Sequence, residues 1–314
     1  MPAMRALRRL AGRLLRAPVA AELDRLRALA EAQLMLAAQP EVRRVRALPP
    51  RAPLADAEFR VFSQWGEDGI LQYLLAQVPV AGRAFVEFGV QDYAEANTRF
   101  LAAQGGWRGL VMDAGDDNVA AIRASELHWR HDLTARRAFV TRENVDALLR
   151  DAGFGGDLAL LSIDIDGNDY WVWEAIACAR PRIVVCEYNS LFGAARALTI
   201  PYDADFDRTR AHPSNLYFGA SLAALCRLAS ARGYVLAGSN RAGSNAFFVR
   251  QDVAGNVRAL SAAEAHVESA ARESRDAAGN LTFVSGAARL DLIRHMPVVD
   301  LERDATLPLG EALA

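Results

Sequence analysis

The stretch Leu160-Leu161-Ser162-Ile163-Asp164-Ile165-Asp166-Gly167-Asn168-Asp169-Tyr170 decides how the chain is read. An apolar run of strand type ends in three carboxylates and a glycine, and a helix-patterned segment, Tyr170 to Ala179, follows it. Outward from this point the pattern recurs. Phe85-Val86-Glu87-Phe88-Gly89 is a short apolar run that ends in a turn before a helical stretch near 95–104, and Gly109-Leu110-Val111-Met112-Asp113 repeats it. Ala138-Phe139-Val140 reads as a weaker third strand, Leu158 to Asp164 as a fourth and Arg182 to Glu187 as a fifth. Parallel strands need crossovers, and each crossover here is long enough to be a helix, so residues 58–250 predict an α/β sheet covered on both faces. The end of this region differs. Helix-like Ala220 to Arg232 precedes Tyr234-Val235-Leu236 and Asn245 to Val249, and the Gly/Ser/Asn-rich turn between the last two predicts an antiparallel hairpin.

Four of these strands finish with a carboxylate: Glu87, Asp113, Asp164 and Glu187. In an open parallel sheet such ends share one edge, where ligands bind. A single acid there is commonly a helix cap, whereas four in register point to a binding rim. Gly89 allows close backbone approach, and Asp113 ends its strand where an acid can accept hydrogen bonds from a ribose diol. Asp164 and Asp166 face the same side if extended geometry persists through Asp166. The first turn carries neither a glycine-rich phosphate cradle nor a basic cluster. A pyrophosphate cofactor is therefore disfavoured, and a cationic or neutral adenosyl ligand fits better.

Composition sets the limits around this rim. The chain has 314 residues, is 52% hydrophobic and carries a net charge of −2, enough apolar material for a substantial core. No apolar run approaches the roughly 18 residues of a membrane span, and the N-terminus lacks a signal-peptide pattern, so the expected location is cytoplasmic. The three cysteines, Cys178, Cys186 and Cys226, read as buried free thiols. All 36 basic residues are arginine, which excludes mechanisms that need a lysine. Residues 1–39 are helical in pattern, and Pro40 with Pro49-Pro50-Arg51-Ala52-Pro53 marks a linker. The expected organisation is a helical arm and linker at 1–57, a catalytic domain at 58–250 and a peripheral extension at 251–314. In that extension Ser261 to Asp276 reads as a polar helix and Leu281 to Val284 as a short strand, assigned to edge cover or an oligomer contact. The first sixteen residues hold five arginines and no acid. A solvated helix is the plain reading of this arm, and contact with an anionic membrane surface is the other. Nucleic acid is not expected as a partner, because no basic patch with interleaved aromatics is present.

The segments "FSQWGEDGIL", "FVEFGVQDYAEANTRFL", "GLVMDAGDDN", "LLSIDIDGNDYWVWEAI", "PRIVVCEYN" and "GSNAFFVR" together resemble an FkbM-type methyltransferase, a branch of the class I S-adenosylmethionine-dependent enzymes, over residues 60–250. The resemblance implies a Rossmann-like class I methyltransferase fold, with a mostly parallel seven-stranded sheet and an antiparallel last strand. It implies S-adenosyl-L-methionine as cofactor, with Glu87 and Gly89 at its methionine end, Asp113 on the ribose and Asp164 beside the transferring methyl. Gln91 stands where many class I enzymes carry a second glycine. The implied acceptor is a hydroxyl on a sugar, a glycan or a secondary metabolite. Methyl transfer is an in-line displacement that needs positioning and a base. Asp166 and Glu187 are the candidate bases, with His131 and His212 as alternatives. The irregular segment Leu191 to Phe218 would overhang the cleft, with Tyr202, Arg208, Arg210 and Tyr217 as substrate-binding groups. Trp171 and Trp173 are read as core packing before an aromatic wall. No metal ligand is assigned, and Mg²⁺, which such acid clusters hold in some O-methyltransferases, is left open.

Rival readings of Asp164 to Asp169 narrow the choice. A calcium loop fails, because Asp169 replaces the required glycine and Ala175 sits where a bidentate glutamate belongs. A phosphatase of the haloacid dehalogenase type would make Asp164 the nucleophile, yet its motif belongs on a first strand and Asn168 replaces the usual threonine. A glycosyltransferase Asp-x-Asp lacks basic neighbours for a nucleotide diphosphate. The alternatives to methyl transfer are therefore metal-assisted phosphoryl or glycosyl transfer through Asp164 and Asp166, or an inactive adenosyl-binding interaction protein.

Overall fold

The computed structural model describes the backbone of residues 2–314 and the side chains of Val19, Glu22, Leu23 and every residue from Arg25 onward. The chain divides into two units, Met1–Arg44 and Val45–Ala314. Helix Pro2–Arg46 runs through residues 2–44 of the first unit. Pro40 lies inside this helix, so the expected break occurs after Arg46. The side chains of the five N-terminal arginines, and with them the membrane-surface reading, lie outside the described residues. Among the described residues no helix is long and apolar enough to cross a membrane.

The second unit is built on strands β1 (Ala84–Phe88), β2 (Arg108–Asp113), β3 (Asp132–Arg137), β4 (Gly156–Ile163), β5 (Ala179–Glu187), β6 (Leu198–Thr199), β7 (Tyr234–Ser239), β8 (Asn245–Arg250), β9 (Pro297–Asp300) and β10 (Ala305–Pro308). The large sheet has seven strands in the order β3-β2-β1-β4-β5-β8-β7. All are parallel except β8, which runs antiparallel to β5 and β7. This is the Rossmann-like class I methyltransferase arrangement expected from the sequence. Its central strands read as unbroken apolar runs because both faces are covered. Val86, Leu161 and Phe248 enter one core and their neighbours Phe85, Leu160 and Phe247 the other, as the period of two requires.

Three expectations are corrected. The third strand is Asp132–Arg137, upstream of Ala138 to Val140. As the sheet's edge it is half exposed, and only Leu133 and Ala135 turn fully inward, so its run is too polar to stand out. The helix expected over Ser261 to Asp276 stops after Ala262–Ala265, capped by Ser261 and Glu264. Leu281 to Val284 forms no strand, and Leu281 makes one isolated bridge to Arg275. The C-terminal residues instead supply β9 and β10, which join β6 from the long loop in a three-stranded sheet. A third core of Phe192, Leu198, Ile293, Val298 and Leu309 lies beside it.

The segment Phe62 to Leu71 explains its two adjacent acids. Asp68, near the start of helix Glu67–Gln77, accepts at Oδ2 from the amides of Val61 (2.7 Å), Phe62 (2.7 Å) and Ser63 (2.8 Å) and from Ser63 Oγ (2.9 Å). Burial nevertheless raises its carboxyl to about 6. Glu67 Oε1 accepts from Asn240 Nδ2 (2.6 Å) and Asn245 Nδ2 (3.0 Å), which fastens this helix to the β7–β8 hairpin. Asp68→Ala strands three buried amides and should lower stability by roughly 2–4 kcal/mol, read as a fall in the urea midpoint at unchanged m-value. A midpoint equal to wild type would show that the loop finds other acceptors.

Candidate active site

The site begins where β1 and β4 end. Gly89 has φ +76°, and a Cβ there would fall 1.6 Å from the carbonyl oxygen of Asp164. The two backbones therefore touch at the sheet's carboxyl edge, and only glycine fits. Two residues on, the amide of Gln91 donates to Asp113 Oδ2 at 2.8 Å and folds the first turn onto the end of β2. Gln91 takes φ +49°, the left-handed region a glycine would favour. Asp113 Oδ1 accepts from the amide of Gly115 and from Asn118 Nδ2, both at 2.8 Å, so its carboxylate is fixed by its own loop.

Beyond β4 the extended geometry stops, and Asp166 adopts φ +58°. Asp169, fully buried, makes the bend: Oδ1 accepts from the amide of Ile165 (2.9 Å) and Oδ2 from that of Gly167 (3.0 Å). The bent loop still delivers carboxylate oxygens of Asp164, Asp166 and Glu187 to within 4.8 Å of one another. Asp164 and Glu187 are half-buried, and neither carboxylate has a hydrogen-bond partner among the described residues; Glu187 Oε2 is itself fully buried. Burial pushes the Glu187 carboxyl well above its usual range, and the charges of Asp164 and Asp166 push it further. Asp164 is raised in the same way, by burial first and then by Asp166 and Asp169. Arg208 is the cation among them. Its Nη1 lies 2.5 Å from Asp166 Oδ1, its Nε donates to the carbonyl of Asn215 at 2.6 Å, and its guanidinium sits 3.9 Å over the Phe218 ring.

Two cavities meet at these acids. A cleft of about 620 Å³ is lined by Glu87, Gly89, Asp164, Asp166, Glu187 and Arg208, among others. A pocket of about 170 Å³ shares Gly89, Asp164 and Asp166 with it and adds Asp113, Phe139 and Val140. The expected site residues therefore divide. Gly89, Asp113, Asp164, Asp166, Glu187 and Arg208 are brought together. Glu87 lines the cleft, but both its oxygens are engaged: Oε1 by the amide of Asn97 (2.9 Å) and Ser162 Oγ (3.2 Å), Oε2 by the amide (2.9 Å) and Oγ1 (2.5 Å) of Thr98. Tyr202 is bonded to Glu143 and packs on Trp171, and Tyr217 donates to the carbonyl of Pro297. Neither tyrosine lines either cavity, and neither do Arg210, His131 and His212. Trp173 is buried against Phe248, and Trp171 donates to the carbonyl of Ile200 at 2.9 Å, which matches the packing role read for both. Sequence reasoning did not single out Trp65, Ser269, Glu273 and Arg289, which also line the cleft. Nothing local marks them, because distant segments carry them there.

No family model matches the chain, and no curated protein matches it. Solved structures of similar fold include the O-methyltransferase from Bacillus cereus in complex with SAH, 14% identical over 53% of this chain and 72% of its own, with a TM-score of 0.34. The N-terminal domain of EvdMO1 with SAH bound is 15% identical over 69% and 95%, with a TM-score of 0.40. A SAM-dependent methyltransferase from Geobacter sulfurreducens in complex with S-adenosyl-L-homocysteine is 16% identical over 59% and 72%, with a TM-score of 0.32. Likenesses this distant carry no functional argument, which rests on the residues above.

Two outcomes test this geometry. Gly89→Ala forces a Cβ into a backbone carbonyl and should cost roughly 2–4 kcal/mol, visible as a lowered melting temperature. Because the folded state holds protons on Asp164 and Glu187 to higher pH than the unfolded chain does, their contribution to stability falls as pH rises from about 4. Glu187→Gln removes one of the repelling charges, so the variant should melt above wild type at pH 8 and approach it at pH 5. Equal melting temperatures at both values would mean that the carboxyl is not held above its ordinary range.

Proposed function

We propose that the protein is an S-adenosylmethionine-dependent O-methyltransferase of the FkbM type, acting on a hydroxyl of a sugar, a glycan or a secondary metabolite. The convergence of the β1, β4 and β5 ends on one anionic cleft carries this reading. The residues fit the cofactor on three counts. Gly89 contributes backbone alone to the lining of both cavities. Asp113, which already accepts three hydrogen bonds, keeps one of a carboxylate's roughly four acceptor positions for a ribose hydroxyl. The unpaired carboxylates of Asp164 and Glu187 suit a positive charge better than a pyrophosphate. When bound, S-adenosylmethionine supplies an electrophilic methyl on a sulfonium and leaves as a neutral thioether.

The chain's own residues supply position, field and a base. Of the two candidate bases, Asp166 already has its carboxylate committed to the ion pair with Arg208. Glu187 has an unbonded carboxylate with a proton affinity raised by burial; in its ionised form, which a cationic ligand in the cleft favours, it would take the proton of the acceptor hydroxyl while Asp166 orients Arg208. The three carboxylates are also close enough for one divalent ion. Metal-assisted phosphoryl or glycosyl transfer through Asp164 and Asp166 is accordingly the second reading.

Calorimetric titration with S-adenosylmethionine and with its demethylated product, each with and without Mg²⁺, separates the two. Binding without metal is expected, and the sulfonium form should release more protons at neutral pH than the thioether, because a nearby cation favours ionised carboxylates. Absence of binding, together with phosphate release from a phosphomonoester in Mg²⁺, would transfer support to the second reading. Asp113→Ala should weaken binding of the demethylated product by roughly 1–3 kcal/mol. Glu187→Gln should spare that binding and lower turnover by about 10²–10⁴-fold, and turnover near wild type would remove Glu187 as the base.

A further inference from the structure

The cleft has a wall that the large sheet does not supply. After β8 the chain returns to the carboxyl edge, and residues 266–275 are fastened there along their length. The Tyr188 hydroxyl donates to the carbonyl of Val267 at 2.9 Å and accepts from its amide at 3.2 Å. Ser190 Oγ accepts from the amide of Ser269 at 3.0 Å, and the amide of Arg275 donates to the carbonyl of Ser214 at 3.3 Å. In the β7–β8 turn Gly243 has φ +72°, and a Cβ there would lie 2.5 Å from the Val267 carbonyl oxygen, so the segment lies directly on this turn. Arg289, from helix Ala287–Ile293, braces it. That side chain is 5% exposed, with Nη1 donating to the carbonyl of Ala271 at 3.1 Å and Nη2 paired with Glu268 Oε1 at 3.0 Å. Its Nε is buried without a partner.

This fixed segment places Ser269, Ala271 and Glu273 on the lining of the cleft that holds Asp164, Asp166 and Glu187. Glu273 is exposed and has no hydrogen-bond or ion-pair partner among the described residues, although its charge helps to hold Arg208 protonated. The lining carries seven carboxylates, Glu273 included, against the guanidiniums of Arg208 and Arg289. Both arginines are already ion-paired, to Asp166 and Glu268. An acceptor with its own anionic group would thus enter an acidic space with no uncommitted cation on its lining, and like-charge juxtaposition of this kind costs several kcal/mol.

We infer that residues 267–275 form the acceptor-selecting wall of the cleft, with Glu273 as the specificity-determining side chain that favours a hydroxyl compound bearing a nearby ammonium group over one bearing a carboxylate. This rests on the methyltransferase reading. It gives the C-terminal extension a part in the site, beyond the edge cover or oligomer contact expected from its sequence. Arg289 is a positioning residue, because it acts by holding Glu268 and Ala271 rather than by meeting the acceptor.

The test uses the full chain, methyl-labelled S-adenosylmethionine and three probe sugars: methyl glucoside, glucosamine and glucuronic acid. Labelling should fall from glucosamine through methyl glucoside to glucuronic acid, by about tenfold or more between first and last. Glu273→Gln should compress that ratio and Glu273→Arg should reverse it, while affinity for the demethylated cofactor, measured by calorimetry, stays within about twofold of wild type. A wild-type protein that does not bind the demethylated cofactor would defeat the methyltransferase reading itself. Normal cofactor binding with a ratio indifferent to both Glu273 variants would defeat this inference alone. If no sugar is labelled, amide exchange over residues 267–275 of the cofactor-loaded protein decides. Stronger protection by glucosamine than by glucuronic acid supports the assignment, and equal or absent protection overturns it.

Discussion

Three carboxylates pressed together at the mouth of the sheet are the constraint around which the rest is arranged. Two full charges 4.8 Å apart repel by about 3–4 kcal/mol at an effective dielectric of about 20. Arg208 pairs directly with Asp166 and offsets the repulsion at Asp164 and Glu187 only through space, so that neither of those two carboxylates has a bonded partner among the described residues. Such a cluster lowers its energy by retaining protons or by admitting a cation. A ligand that brings positive charge therefore gains affinity from repulsion already present, and one that brings negative charge meets more of it. The chain's lack of lysine fits this logic, since no flexible ammonium is on hand to fill the space between the acids.

The fold holds these charges in place by tying other acids to its loops through several hydrogen bonds each. Asp169 accepts two amides of the loop that carries Asp166 and Gly167, Glu87 accepts two amides and two hydroxyls behind β1, and Asp68 accepts three amides and one hydroxyl ahead of it. A buried carboxylate that accepts several hydrogen bonds is a rigid knot in a loop. The contrast between these bonded acids and the unbonded pair is what distinguishes scaffold from site. The count of acids alone does not make that distinction, because both kinds sit within a few residues of each other along the chain.

That contrast also explains what the sequence disclosed. Central strands announce themselves because burial on both faces forces unbroken apolar runs such as Leu158 to Ile163, and the last residue of a parallel strand must reach the shared edge, so Asp113, Asp164 and Glu187 could be placed in advance. β3 could not, because an edge strand with one wet face looks like a loop. Tyr202 and Tyr217 were legible as polar groups of a long loop but not as to direction. The path of that loop is set by pairing of β6 with β9, a hundred residues further on: Leu198 faces Asp300 and Thr199 faces Val299. The helix read over Ser261 to Asp276 ends early for the same kind of reason, since Tyr188 and Ser190 capture backbone groups that a helix would have kept. Local preference yields to a specific tertiary hydrogen bond.

The same distant pairing links the two loop-borne parts of the cleft. The long loop carries Arg208 and is anchored through β6, while the C-terminal extension carries Glu273 and supplies β9. Where they join, Asp300 is wholly buried, accepts from Arg196 Nη2 at 2.6 Å and from the amides of Glu302 (3.0 Å) and Arg303 (3.2 Å), and lies opposite Leu198. A buried carboxylate bound on three sides fixes that joint far more tightly than an exposed ion pair would. The loop that carries Arg208 and the extension that carries Glu273 are thus joined at the small sheet despite their separation in sequence. On the proposed reading the extension acts on the chemistry through the small sheet as well as through its own cleft-lining side chains, and a segment with no motif of its own completes a site whose motifs all lie elsewhere.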